Sequence, residues 1–164
     1  MAERNEERLQ PSLLDRLTDN APGDLRESRD DRVIDLRRLR EIVQRDLSWL
    51  LNTSDNHLEI DAQKYPHAAR SVLNYGISEI AGGYSTDSGA STIRASIQRA
   101  IERYEPRISA GSLDVRIRGE KEQSQAIVAF DIIAEMWAQP MPIELYLRSE
   151  IDLTSGQLKL ERKT

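Results

Sequence analysis

"IQRAIERYEPRISAGSLDVRIRG", residues 97–119, changes period in its middle. Up to Tyr104 the residues Ile93, Ile97, Ala100, Ile101 and Tyr104 recur at three- and four-residue steps, the spacing of one helix face. Beyond it the period drops to two. Leu113, Val115 and Ile117 alternate with Asp114, Arg116 and Arg118, as in a half-buried strand. Between the two patterns stands Glu105-Pro106-Arg107. One reading is a helix exit, in which Pro106 biases Glu105 toward extended geometry and Arg107 meets the last free carbonyls. The other is a site built from a carboxylate and a guanidinium. The residues alone favour the exit and leave the site open.

Working outward, the N-terminal side reads as helical. Residues 32–51 place Val33, Leu36, Leu39, Val43, Leu47 and Leu50 on one side, with Asn52-Thr53-Ser54 as the stop. Leu13, Leu14 and Leu17 predict a short helix capped by Ser12, too short to stand without docking. A helix after Pro66 carries Ala69, Val72 and Leu73 on one side, and Gly76 suits the left-handed position beyond it. Residues 77–91 read as a loop, with Ser88 or Ser91 capping the next helix.

The C-terminal side reads as strands. Residues 119–122 make a turn, and 127–136 form a strand apolar on both faces, as for one covered on both sides. Pro140 and Pro142 mark a break, and residues 143–153 alternate cleanly, with Leu145 and Leu147 inward and Tyr146 and Arg148 outward. "TSGQ" turns the chain into a last strand holding Leu158 and Leu160. Helices followed by an antiparallel meander predict an α+β domain. The last two strands are the candidates for an open sheet edge.

Composition narrows the chemistry. The chain of 164 residues has no cysteine, so thiolate metal sites and disulfides are excluded. A net charge of −5 argues against generic nucleic-acid binding. No long apolar run and no signal-like start are present, so a cytoplasmic protein is expected. Of 23 basic residues 19 are Arg, which fits either an interface or a GC-rich coding sequence.

Catalytic signals are weak. His57 and His67 lack partners at ligand spacing and read as surface histidines. "AGGYSTDSGAS" lacks the lysine of a P-loop, and no Ser sits in a GxSxG frame. Glycoside hydrolysis needs two acids about 5–9.5 Å apart. Glu102 and Glu105 are three residues apart, but Glu102 sits beside Arg99 and Arg103, where ion pairing accounts for it.

"RLREIVQRDLSWLLNT", "SVLNYGI", "IRASIQRAIERYEPRI" and "MWAQPMPIELYLRSEIDLTSGQL" occur in the order seen in baseplate wedge proteins of contractile injection machines. Over roughly residues 12–160 the chain resembles this phage gene 25-like family, and within it the type VI secretion branch. The resemblance implies a wedge domain over residues 12–164 behind a flexible tail at 1–11. It implies a sheet similar to the interlocking handshake sheet of the contractile sheath, and a structural subunit rather than an enzyme. It assigns Glu105, Pro106 and Arg107 to partner binding against the wedge core. Expected partners are the wedge subunits TssF, TssG and TssK and the sheath proteins TssB and TssC, in a cytoplasmic baseplate docked at the inner membrane. No catalytic residue, metal, cofactor, nucleic acid, small-molecule substrate or membrane insertion is implied. The family's lysozyme-like label supplies the alternative, a peptidoglycan hydrolase with Glu105 as general acid. One departure is the loop after "NYG", where many relatives have Pro and this chain has Ile77-Ser78-Glu79-Ile80.

Overall fold

Two amphipathic helices and one half-apolar sheet each need a partner for their apolar face, and here they supply it to one another. The computed structural model describes residues 12–19, 22–23, 35–80, 87–118, 127–137 and 142–162. The helices are α1 (Leu13–Leu17), α2 (Leu36–Leu51), α3 (Pro66–Ala69) and α4 (Asp87–Tyr104). The strands β1 (Asp114–Arg118), β2 (Ile127–Met136), β3 (Ile143–Asp152) and β4 (Leu158–Arg162) form one antiparallel sheet in sequential order. The fold is α+β, as the switch of period predicts.

α2 starts where Asp35 accepts a hydrogen bond from the Arg38 N–H at 2.7 Å. Residues 32–34, including Val33, lie outside the described residues. Leu39, Ile42, Val43, Leu47, Leu50 and Leu51 are buried, whereas Leu36 is exposed at the helix start. Ile93, Ile97, Ala100 and Ile101 of α4 complete the helical side of the core. On the sheet side stand Val115, Phe130, Ile132, Ala134 and Met136, with Ile143, Leu145, Leu147 and Ile151 opposite them. Tyr146 and Arg148 face away and are half-buried, as the alternation predicts.

Several local expectations change. Ser12 occupies the first cap position of α1, but its hydroxyl bonds the Asp15 carboxylate rather than a helix N–H. α4 begins at Asp87, so Ser88 and Ser91 lie inside it and residues 87–91 are not loop. The helix expected after Pro66 lasts one turn, then breaks into a 3₁₀ turn at Val72–Asn74. Gly76 does take a positive φ of 126°, for a different reason. Its N- and C-terminal neighbours run beside residue 53, where Ile77 N donates to Thr53 O at 2.8 Å, and a Cβ at Gly76 would sit 2.2 Å from that oxygen. β2 is covered unequally on its two sides. Its core residues share one face, while on the other Ala129 is buried, Asp131 and Ile133 are half-buried, and Ile127 and Glu135 at the ends are exposed.

β3 is not an edge strand, because β2 pairs with it on one side and β4 on the other. β4 is an edge, yet α2 lies along it. Asn52, which ends α2, donates to Leu158 O and accepts from Leu158 N, each at 2.9 Å, and Gln44 donates to Leu160 O at 3.1 Å. Side chains thus stand where a further strand would pair. The expected tail, the turn at 119–122 and Pro140 lie outside the described residues.

Candidate functional site

The triplet is the joint between α4 and the sheet. Glu105 N still donates to Ile101 O at 2.9 Å, so the helical bonding runs one residue past Tyr104. Pro106 has no N–H to continue it. Ile108 N then turns back to Glu105 O at 3.2 Å, and Trp137 N donates to Arg107 O at 2.7 Å, tying the exit to the end of β2.

The side chains do not act as a simple exit. Glu105 is only 5 % exposed. Its Oε1 accepts from Arg107 N at 3.1 Å and Arg107 Nε at 2.6 Å, and its Oε2 accepts from Arg107 Nη2. Arg107 Nη2 also donates to Asp46 Oδ2 of α2 at 2.7 Å. Arg107 therefore meets two carboxylates, not the last carbonyls of α4. Desolvation pulls its pKa down, but the hydrogen bonds and charge of Glu105, then of Asp46, outweigh it and hold the guanidinium above its ordinary value.

The charges continue beyond Asp46. Asp46 Oδ1 accepts from Arg45 Nη2 at 2.7 Å, and the same guanidinium forks onto Asp15 of α1 at 2.7 and 3.0 Å. The hydrogen bonds from Arg45 are the main reason the Asp15 pKa falls to about 2. Arg45 also lies 4.8 Å from the ring centroid of Trp49. Glu105, Arg107, Asp46, Arg45 and Asp15 thus form one ladder of alternating sign. α1 is held by its end rung and not by its leucines, since Leu13 and Leu17 are more than 70 % exposed.

Beside the ladder opens a cleft of about 390 Å³, walled by Leu14, Trp49, Tyr75, Tyr104, Pro106 and Arg107. Burial, then the charges of Asp46 and Glu105, push the Tyr75 phenol up. Pro106 is exposed, and Arg107 keeps 28 % of its side chain open, with Nη1 bonded to none of the described residues. The proline ring and one edge of the guanidinium are thus open to solvent, while Glu105 is buried behind them as the group that orients the guanidinium.

Sequence reasoning found the triplet but missed Asp15, Arg45 and Asp46. Arg45 and Asp46 look like ordinary residues of a polar helix face, and no local pattern links Asp46 to a residue 61 positions on. The expected ion pairing of Glu102 is not formed; Gln98 donates to it instead at 3.0 Å, and Arg103 reaches Ala69 O. Glu102 and Glu105 border a common open cleft. Both Glu105 oxygens accept hydrogen bonds from the Arg107 guanidinium. His57 touches Asp55 at the surface, and His67 is exposed.

A family described as baseplate wedge protein gp25 matches residues 37–141, well over half of the chain. The chain belongs to this family. The match to the wedge family spans α2, the triplet, β1 and β2 and ends in the β2–β3 connection just before β3, and so includes Arg45, Asp46 and Arg107 but not Asp15. No curated protein and no solved structure matches significantly. No described helix is long and apolar enough to cross a membrane.

Proposed function

We propose that this wedge-family chain fills the role of TssE in a type VI secretion baseplate, as a structural adaptor between the wedge core and the contractile sheath. The observation that carries the contact assignment is the pinned triplet. Pro106 and Arg107 are presented in one orientation by a buried carboxylate and a second carboxylate from another helix, which limits the ordering cost of binding. Pro106 and Arg107 dock on the wedge core formed by subunits such as TssF and TssG, with TssK in the same assembly, and Glu105 positions them. The sheet edge receives a strand from the sheath proteins TssB and TssC by β-augmentation. The baseplate works in the cytoplasm against the inner membrane.

The hydrolase reading gains nothing from the geometry, because a general acid needs an oxygen within reach of the leaving group and Glu105 turns both toward Arg107. The wild-type chain is expected to show no peptidoglycan turnover above buffer. A rate that disappears in Glu105→Gln would reverse the assignment.

The adaptor test is co-purification of the tagged full chain with wedge subunits from cells that build the machine. Replacing the ion pair by apolar side chains of similar size, Glu105→Met/Arg107→Met, leaves no orphan charge in the fold. This variant should fold and lose at least about tenfold in recovered wedge protein, the loss typical of a hot-spot residue. Recovery equal to wild type would remove the triplet from the interface.

A further inference from the structure

Residues 56–75 are built inside out. The polar Asn74 is buried at 8 % exposure, whereas Leu58, Tyr65, Val72 and Leu73 are exposed, Val72 at 78 % and Leu73 at 64 %. An ordinary surface loop that displays apolar side chains does so on a loosely held backbone. This one is fastened. Tyr104 Oη lies 2.9 and 2.7 Å from Ser71 O and Asn74 O, which share its single hydroxyl proton, and Asn56 Nδ2 donates to Leu73 O at 2.7 Å. Arg103 Nη1 and Asn74 Nδ2 both donate to Ala69 O, and Asn74 Oδ1 accepts from Asn56 N at 3.0 Å. Side chains from α4 and from the segment itself therefore fix the carbonyls on both sides of Val72 and Leu73. Such bonding gives a single presented shape, which lowers the entropy lost on binding.

The surroundings say what it is presented to. Arg70 precedes the turn, and Arg103, one helical turn beyond Arg99 on α4, bonds its backbone. All three arginines are exposed, in a chain whose net charge is −5. We infer that Val72 and Leu73 form a rigid apolar knob that enters an apolar recess on a partner protein, with carboxylates at the rim of that recess meeting Arg70, Arg99 and Arg103. A centre stripped of charge inside a charged rim is the general anatomy of a protein interface. An anionic lipid surface fits less well, since the chain as a whole is acidic and the apolar element is a two-residue turn rather than an amphipathic helix. The knob is distinct from the triplet, although Tyr104 touches both: its hydroxyl holds the knob and it walls the cleft beside Pro106.

The inference rests on the baseplate reading only for where the partner is sought. Val72→Ser/Leu73→Ser alters two exposed side chains and should leave Tm within about 2 °C of wild type. Tagged full-length chain carrying the pair should recover wedge subunits at least about tenfold less well. Arg70→Glu/Arg99→Glu should lower recovery several-fold, and the deficit should shrink at high salt. Wild-type recovery by the Val72→Ser/Leu73→Ser variant, beside failure of Glu105→Met/Arg107→Met, overturns the knob and leaves the baseplate reading standing. Normal recovery by both variants overturns both readings. Two further measurements use the chain alone. Flotation of the wild type, but not of the knob variant, with vesicles of phosphatidylglycerol and phosphatidylcholine would make the surface a lipid contact and overturn the proposal. A concentration-dependent dimer that the variant disperses would make the occupant a second copy, and also overturn it.

Discussion

At the scale of single residues, the decisive fact is that Glu105 is buried and Arg107 neutralises it. Read as an isolated interface anchor, Arg107 would be dispensable for folding. The structure makes it structural as well. Arg107→Ala strands a buried carboxylate, which costs about 3 kcal/mol when fully desolvated and less here, because Arg107 is 28 % open and Asp46 is 22 % exposed. We expect a loss of about 1–2 kcal/mol for Arg107→Ala in urea unfolding. Glu105→Met/Arg107→Met should lose less than the single variant, since no charge is left alone. Equal or greater loss in the double variant would show that the pair itself, rather than the orphaned acid, carries the stability. Pro106 ends the helix as the exit reading expects, while Arg107 ties three elements together instead of meeting the last carbonyls of α4.

At the scale of elements, α1 and the turn at Gly76 respond to different tests. α1 contributes no buried residue, so its position depends on the Asp15–Arg45 fork. The folded Asp15 pKa lies near 2, below its ordinary 3.8. The fork therefore stabilises fully above the ordinary value and is lost as pH falls from there toward 2. Solvent around this exposed helix keeps the contribution to about 1 kcal/mol. Trp49 fluorescence in a Trp137→Phe background should report the release of Arg45 in that window, and Asp15→Asn should abolish the step. A step of unchanged size in Asp15→Asn would place its origin elsewhere. Gly76→Ala meets a harder obstacle, a main-chain oxygen 2.2 Å from the new carbon at a positive φ. It should cost about 3 kcal/mol, or roughly 10 °C in Tm. The bonds of residue 77 to residues 53 and 55 set this turn without a proline in the loop that follows.

For the whole molecule, the sheet has two edges of unequal kind. On β4 the outward groups of Leu158 are held by Asn52 and that of Leu160 by Gln44. On β2, Glu135 turns its main chain toward the Ser109–Ser112 side, so by alternation Asp114, Arg116 and Arg118 bond β2 while Ile117 turns outward. Ile117 is 40 % exposed. Proline is tolerated on an edge where the missing donor faced solvent. Ile117→Pro should therefore fold and enter the wedge, yet start few sheaths when fluorescent sheath is counted in cells. Asn52→Ala should cost about 1–2 kcal/mol from the unpaired Leu158 groups and leave sheath starts intact. The reverse pattern would move the proposed sheath contact to β4. Lys159→Pro is less informative, because the Lys159 main chain faces β3 and the change would break the sheet itself.

The sequence by itself determined what depends on neighbours in the chain. Period set the identity of α2, α4 and the strands, the short connections set their sequential antiparallel order, and Pro106 set the end of α4. Tertiary structure alone decided what depends on distant approach. Nothing local tells Asp46 that it will meet Arg107, Asn52 that it will take the place of a strand beside Leu158, or Asp15 that it will anchor a helix with bare leucines. The residues after Pro66 show the limit most clearly. Ala69, Val72 and Leu73 share a side only if one helix continues, and the break after Ala69 buries the alanine while turning the other two to solvent. Periodicity reports which side chains share a face, but whether that face meets protein or water depends on where the packed elements come to rest.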